Sequence, residues 1–101
     1  MLKRRYISLD CSASSAAGTI KAPIGRLAAV YYDFSDAGMT GNLTITALGS
    51  QVFSKTGADD NDGVQQVTDP PIVADDMAVE LASISGASPG DKCNISIFID
   101  E

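Results

Sequence analysis

The sequence predicts a single all-β domain, an antiparallel β-sandwich or jelly roll of about seven to eight short strands. Three observations predict this fold class. Apolar and polar residues alternate with a period of two along most of the chain, which is typical of half-buried strands. Turn-forming residues interrupt the alternation about every dozen residues. The 101 residues are 45% apolar and 20% charged, so residues 1–101 are expected to form one domain around one core.

The first strand is predicted around residues 7–11, where apolar side chains alternate with Ser and Asp, and a Ser/Ala loop follows at 12–18. Residues 19–22 predict a short second strand that ends at Pro23, because proline cannot donate to a strand ladder. Residues 25–34 are apolar on both faces. That pattern indicates either a central strand or a strand with one face covered by a partner.

The middle of the chain predicts a hairpin and an edge strand. Residues 42–47 alternate cleanly, and residues 51–56 offer the partner strand. Residues 57–63 are polar and predict a loop. Residues 64–68 predict a short edge strand, and the two prolines at 70–71 then force extended backbone and exclude a helix at that point.

The C-terminal part contains one ambiguous segment. Asp75 is a possible helix cap for residues 75–85, but the same residues also alternate with period two. We predict a strand there, followed by a closing strand over residues 93–99. Cys11 and Cys93 are in phase with the apolar residues of the first and last strands, which favours free thiols in the core. A disulfide between those strands is the alternative, and it requires adjacent strands with Cα atoms within about 7 Å.

The net charge of −6 is unevenly distributed. Residues 1–26 carry five cations and one acid, whereas the remaining 75 residues carry two cations and twelve acids. Overall acidity argues against nucleic acid as a partner. No apolar run reaches the roughly 18 residues that span a bilayer, so no membrane is expected. The basic segment is suited to docking on an acidic neighbour or on another copy, unless it is simply a solvated strand end.

The composition removes most catalytic and metal-binding chemistry. The sequence contains no histidine, which excludes the commonest general base, the usual triads and most zinc sites. The carboxylates fall in turns and on polar strand faces, where solvated carboxylates are not activated for catalysis. We therefore expect no enzyme activity, no catalytic residue, no cofactor and no metal.

One acidic loop partly matches a calcium-binding pattern. Asp60, Asp62 and Gly63 fit positions 3, 5 and 6 of such a loop, and Asp69 fits position 12. The first position is Ala58, which has no ligand oxygen, and no helices are predicted on either side. A solvated loop tip is the favoured interpretation.

Several short motifs occur in a fixed order along the chain. They are APIGRLAAVY at 22–31, NLTIT at 42–46, DPPIV at 69–73 and GDKCNISIFI at 90–99. With the basic N-terminal strand and the Ser/Ala loop, this order resembles a group of small structural proteins of tailed bacteriophages that are encoded among head and tail genes. The resemblance extends over most of the chain.

The resemblance implies a β-sandwich and a non-enzymatic structural role in the virion, assembled in the host cytoplasm. Several small virion β-proteins act as cement or decoration proteins, often as trimers, on the capsid shell. We therefore expect the major capsid protein or other virion proteins as partners, and a homo-oligomer with a trimer favoured. The alternatives are a head-fibre or tail component, or a host-surface carbohydrate-binding module that uses Tyr6, Tyr31 and Tyr32 as an aromatic platform.

The residues predicted to bind partners fall into two groups. The cations are expected to dock on an acidic partner surface, and two tyrosines on a spare strand face are expected to pack against another copy. They are Lys3, Arg4, Arg5, Arg26, Tyr31 and Tyr32.

Overall fold

A computed structural model describes residues 2–101, and Met1 lies outside the described residues. In this part of the chain there are seven strands and no helix, as the sequence predicts for an all-β domain. The strands are β1 (Leu2–Asp10), β2 (Ala16–Phe34), β3 (Thr40–Ala47), β4 (Ser50–Asp59), β5 (Gln65–Gln66), β6 (Ile72–Ser85) and β7 (Lys92–Asp100). No helix that is long and apolar enough to cross a membrane occurs within residues 2–101.

The strands form two layers that share β2. The order along the hydrogen-bonded path is β1-β7-β2-β6-β3-β4, with β5 also paired to β2, and every pair is antiparallel. The second half of β2 pairs with β7 and β5, so with β1 these strands make sheet 1. The first half of β2 joins β6, β3 and β4 in sheet 2. Ile7 of sheet 1 lies directly over Gly18 of sheet 2, so the two sheets pack face to face.

Strand β2 passes from one sheet to the other through a bulge. Its register with β6 shifts between Ala22 and Gly25, which leaves Pro23 and Ile24 outside the regular ladder. The prediction that a strand ends at Pro23 is therefore wrong, because the strand continues to Phe34. Proline is tolerated here because a bulge residue does not have to donate a ladder hydrogen bond.

The core lies between the two sheets and confirms the predicted alternation. The inward residues of β7 are completely buried, as are the apolar residues opposite them on sheet 2. Burial contributes about 1.5–3 kcal/mol for each such aliphatic side chain. The buried residues of β7 and their main counterparts are Cys93, Ile95, Ile97, Ile99, Ile45, Met77, Val79 and Leu81.

Both cysteines are free and buried. The strands β1 and β7 are neighbours, as the disulfide alternative requires, with Leu9 opposite Cys93. The thiols nevertheless remain unpaired, in agreement with the predicted free core cysteines. Burial raises the pKa of Cys11, and burial with the nearby Cys11 raises the pKa of Cys93 to about 12. These thiols act as small apolar groups at neutral pH.

The other predicted elements are largely confirmed. The strands β3 and β4 form the expected hairpin, joined by Leu48 and Gly49 with φ angles of 52° and 79°. The ambiguous segment is a strand, part of β6. The edge strand at 64–68 is reduced to β5, and the polar loop begins later than predicted because residues 57–59 belong to β4.

Gly25 provides a test of the crossing point. A Cβ at this position would lie 2.6 Å from Ile99 Cγ2 and 2.7 Å from the main-chain oxygen of Asp100. We expect Gly25→Ala to lower the free energy of unfolding by about 1–3 kcal/mol, because the neighbouring strand must move. Gly38→Ala is the matched control, since its nearest contact would be Asp36 Oδ1 at 3.4 Å. Equal urea midpoints for the two variants would contradict the close approach.

Candidate functional site

Two exposed tyrosines flank a small buried residue on the outer side of sheet 1. The register places Tyr6 of β1 and Tyr31 of β2 on either side of Ser96 of β7. Their backbones are therefore about 9–10 Å apart, two strand spacings. Tyr6 is 64% exposed and Tyr31 38%, whereas Ser96 is only 3% exposed. We call this set the tyrosine row (Tyr6, Ser96 and Tyr31).

Arg4 is held in a fixed position beside the tyrosine row. Its Nε and Nη2 atoms donate to Ser96 Oγ at 3.2 and 3.1 Å. Its guanidinium carbon also lies 5.2 Å from the centroid of the Tyr6 ring, within the range of a cation–π interaction. Because three contacts orient this side chain, the positive charge is presented at a defined place, with less ordering entropy to lose on binding.

An apolar groove continues from the tyrosine row toward the beginning of β1. It has a volume of about 290 Å³, and Leu2 and Val64 on its walls are exposed. The lining residues are Leu2, Ala28, Ala29, Val64, Gln66 and Phe98. Together with Arg4 and the tyrosine row, these residues form what we call the outer face.

A second groove lies where β2 crosses between the sheets. Exposed Ile24 and Ile72 line it, together with Arg26. Arg26 Nη1 donates to the Pro70 carbonyl at 2.9 Å and is cross-strand to Asp100 of β7. The crossing therefore places one predicted cation, Arg26, at the same end of the molecule as the start of β1.

The predicted cluster of three cations in β1 is divided between two sides of the strand. Arg4 points to the outer face, whereas Lys3 and Arg5 alternate to the other side, in phase with inward-facing Ile7. Arg5 stays at the edge, where its Nη1 donates to the Arg4 carbonyl at 3.1 Å. Consecutive residues of a strand cannot share a face, so these three cations do not form one patch.

Tyr32 requires a correction. It was predicted to share a spare face with Tyr31, but it points into the core and is only 2% exposed. Its ring packs edge-to-face against Phe34, with centroids 6.0 Å apart, and its hydroxyl donates to the Asp62 carboxylate. Adjacent strand residues alternate, so only Tyr31 remains on the surface.

The acidic loop is bound to β2 by hydrogen bonds. Asp60 Oδ1 accepts from the Phe34 N–H at 3.1 Å, and Asp62 accepts from Tyr32 and from the Asp59 N–H. Asp60 thus satisfies a main-chain donor on the edge of β2 beyond β5, and Asp62 satisfies the buried phenol. Within residues 2–101, no group of three or more His, Cys, Asp or Glu side chains is arranged to hold a metal ion.

Charge is segregated along the strands of sheet 1. Cations are concentrated where β1 begins, and acids where β1 and β2 end. The acids at that far end are Asp10, Asp33, Asp36, Asp59, Asp60, Asp62 and Asp91. The positive charge of Arg4 is therefore about the length of a strand away from most of the negative charge of the chain.

Sequence reasoning found part of this site. It selected Arg4, Arg26 and Tyr31, and it named Tyr6 only for a sugar platform. It missed Ser96, on which Arg4 is anchored, and Phe98 in the groove. The alternation of the last strand could have identified them, because both residues occupy its outward-facing positions.

Comparisons with known proteins add little. No protein-family model matches the chain, and no curated protein matches it in sequence. Among solved structures, the chain is similar to "Carbohydrate-Binding Module CBM36 in complex with calcium and xylotriose", with 18% identity and a TM-score of 0.40. That match covers 90% of this chain and 76% of the other chain. Strand pairing and side-chain burial define the class: a small all-β sandwich with an exposed aromatic face.

The Tyr32–Asp62 hydrogen bond predicts a specific pH dependence of stability. The hydrogen bond from Tyr32 lowers the pKa of Asp62. The pKa of Tyr32 is raised, chiefly by desolvation and secondly by its hydrogen bond to Asp62. A lowered carboxyl pKa stabilises the fold above the unfolded value of about 4, and this contribution is lost as the pH falls. A raised phenol pKa stabilises it below the unfolded value of about 10, and this contribution is lost as the pH rises.

We expect Tyr32→Phe to lower the free energy of unfolding by about 1 kcal/mol at neutral pH. The difference from the wild type should be largest between about pH 4 and pH 10 and should shrink on either side. Urea denaturation across this range measures it. Ser35→Ala is a control for the alkaline side, because it removes a hydroxyl bonded to a carboxylate without removing a phenol. A constant difference between Tyr32→Phe and the wild type at every pH would contradict the coupling.

Proposed function

We propose that this chain is a non-enzymatic binding domain that docks on a partner protein through its outer face. The single observation that carries the proposal is that exposed apolar and aromatic side chains gather around an anchored arginine. Tyr, Phe and Arg are the residue types enriched in protein interfaces, and they supply a large part of the binding energy there. A side chain such as Arg4, already oriented by Ser96 and Tyr6, also loses less freedom on binding.

The resemblance described above supports a virion protein of a tailed bacteriophage, and specifically a head cement or decoration protein. Such a domain stabilises the shell by burying area on neighbouring capsid subunits. A chain of 101 residues has a small core, so assembly adds to its stability by mass action. The lack of histidine supports a role that depends on surface complementarity rather than on acid–base chemistry.

Co-sedimentation with intact capsid shells tests this function. We expect the wild type to pellet with shells of the phage that encodes it, and Tyr6→Ser to pellet at least tenfold more weakly. Leu48→Ser is the matched control, because Leu48 is as exposed as Tyr6 (61%) but lies at the β3–β4 turn of sheet 2. Equal loss in both variants, or no binding by the wild type, would overturn the proposal.

Salt and copy number refine the same experiment. Attachment should weaken as the ionic strength rises, because salt screens the attraction between the cations at the start of β1 and an acidic partner surface. A copy number in the hundreds per particle supports shell cement. About a dozen copies or fewer supports a head-fibre or tail component instead.

The tyrosine row favours a second candidate, a carbohydrate-binding module. Two exposed tyrosines on one sheet face, with a small residue between them, provide a stacking platform for sugar rings. Arg4 already occupies one side of Tyr6, so Tyr31 would contribute most of the stacking.

A glycan panel separates the two candidates. A sugar-binding domain should show quenching of tyrosine fluorescence that Tyr31→Ala abolishes and Leu48→Ala preserves. A cement protein should leave the fluorescence unchanged with every glycan while still binding shells.

A further inference from the structure

The strand β1 offers a regular free edge. Within residues 2–101 it pairs with β7 alone, in an unbroken register from Leu2 opposite Asp100 to Asp10 opposite Lys92. The edge strand of sheet 2, β4, differs. Its register with β3 shifts twice, and both extra residues lie on β4. Bulges of this kind twist an edge away from a potential partner, so β1 is better suited to pairing than β4.

One hydrogen bond fixes which main-chain groups of β1 point outward. The Cys11 N–H donates to the Asp91 carbonyl at 2.9 Å, and the register continued by one residue places these two residues opposite each other. In an antiparallel pair, directly opposed residues alternate between bonded and non-bonded pairs. The odd-numbered residues of β1 therefore bond to β7. The even-numbered residues direct their N–H and C=O groups to the free edge.

The next strand pair supports this phase independently. The Ser35 N–H donates to the Lys92 carbonyl, which assigns the even-numbered residues of β7 to β2 and leaves its odd-numbered residues for β1. The guanidinium of Arg5 is also bound to the outward carbonyl of Arg4, as expected if that carbonyl has no strand partner. The edge is therefore partly occupied by a cation of the chain itself.

The cations of β1 determine which kind of strand can pair with its free edge. Lys3, Arg4 and Arg5 lie side by side along the edge, with Arg4 on the outer face and the other two on the opposite side. A strand added at this edge places its residues directly opposite them, where opposite charges attract and like charges repel. A second copy offers three edges: β1 with the same cations, the bulged β4, and residues 16–22 of β2, which pair with β6 alone and carry Lys21 but no acid. Its acidic loop is fixed to its own β2.

We propose that the β1 edge binds an extended, acidic segment of a partner protein as an additional strand of sheet 1. This proposal deepens the docking function proposed above and rests on it. Main-chain hydrogen bonds to Arg4, Tyr6 and Ser8 supply affinity, and carboxylates opposite the cations supply selectivity. The added strand extends the outer face beyond Arg4 and Tyr6, so edge and face form one interface.

Amide hydrogen exchange of the intact domain tests the proposal residue by residue. The probe is an acetylated and amidated decapeptide in which glutamate alternates with valine and threonine, and the control probe carries lysine in place of glutamate. At saturating acidic probe, the exchange rates of the Arg4, Tyr6 and Ser8 amides should fall by roughly tenfold or more. The amides of Arg5 and Ile7 should not change, because they already bond to β7. The lysine probe should have no effect.

Two variants test the hydrogen bonds and the charges separately. Ser8→Pro removes an outward N–H without breaking the ladder to β7, and it should weaken binding of the acidic probe about tenfold, or about 1.4 kcal/mol. Ser8→Ala keeps the N–H and should bind like the wild type. Arg4→Glu keeps every main-chain donor and should weaken binding of the acidic probe by a similar factor while improving that of the lysine probe.

Each outcome decides the question. Protection of even-numbered amides alone supports the added strand, and its absence at millimolar acidic probe overturns it. Protection without any probe, rising with protein concentration, overturns it in favour of a second copy at this edge. Shell binding without probe-induced protection leaves the docking face in place and removes the added strand. Probe-induced protection without shell binding supports the added strand and removes the proposed docking on shells.

Discussion

The rest of the structure depends on the continuity of β2 through its bulge. One strand belongs to both sheets, so the bend at Pro23 and Ile24 sets how the two layers face each other. Gly25 lets β7 approach the bend closely, and the buried isoleucines of β7 then meet the residues of β6 and β3. The same bend turns the second half of β2 outward, where Tyr31 becomes available beside β7. Core and outer face are thus consequences of one crossing.

Alternation divides neighbouring residues of the sequence between different environments. In β2, Tyr31 reaches solvent while Tyr32 is held in the core by Phe34 and Asp62. In β1, Arg4 is anchored on Ser96 while Arg5 reaches around the free edge. A motif of consecutive residues therefore has no single role in this fold. The functional groups are instead assembled across strands, from positions that are far apart in the sequence.

The carboxylates of the acidic loop serve the fold. Asp60 accepts the Phe34 N–H of β2 beyond the short strand β5, and Asp62 accepts the hydroxyl of Tyr32. This assignment explains a run of acids that the sequence offers as a solvated loop or an incomplete cation site. Seven acids thus lie at the far end of the strands, whereas Asp100 lies at the cationic end, opposite Leu2.

The sequence by itself determined the class of fold and most of the core, because period-two alternation is a local property of each strand and burial follows it. The alternation of β7 and β3, the hairpin and the free cysteines could all be read in this way. The tertiary structure decided what depends on contacts between distant residues: the passage of β2 through Pro23, the burial of Tyr32 on Asp62, and the anchoring of Arg4 on Ser96. These depend on register and on a bulge, which shift side chains between neighbours without changing the local pattern.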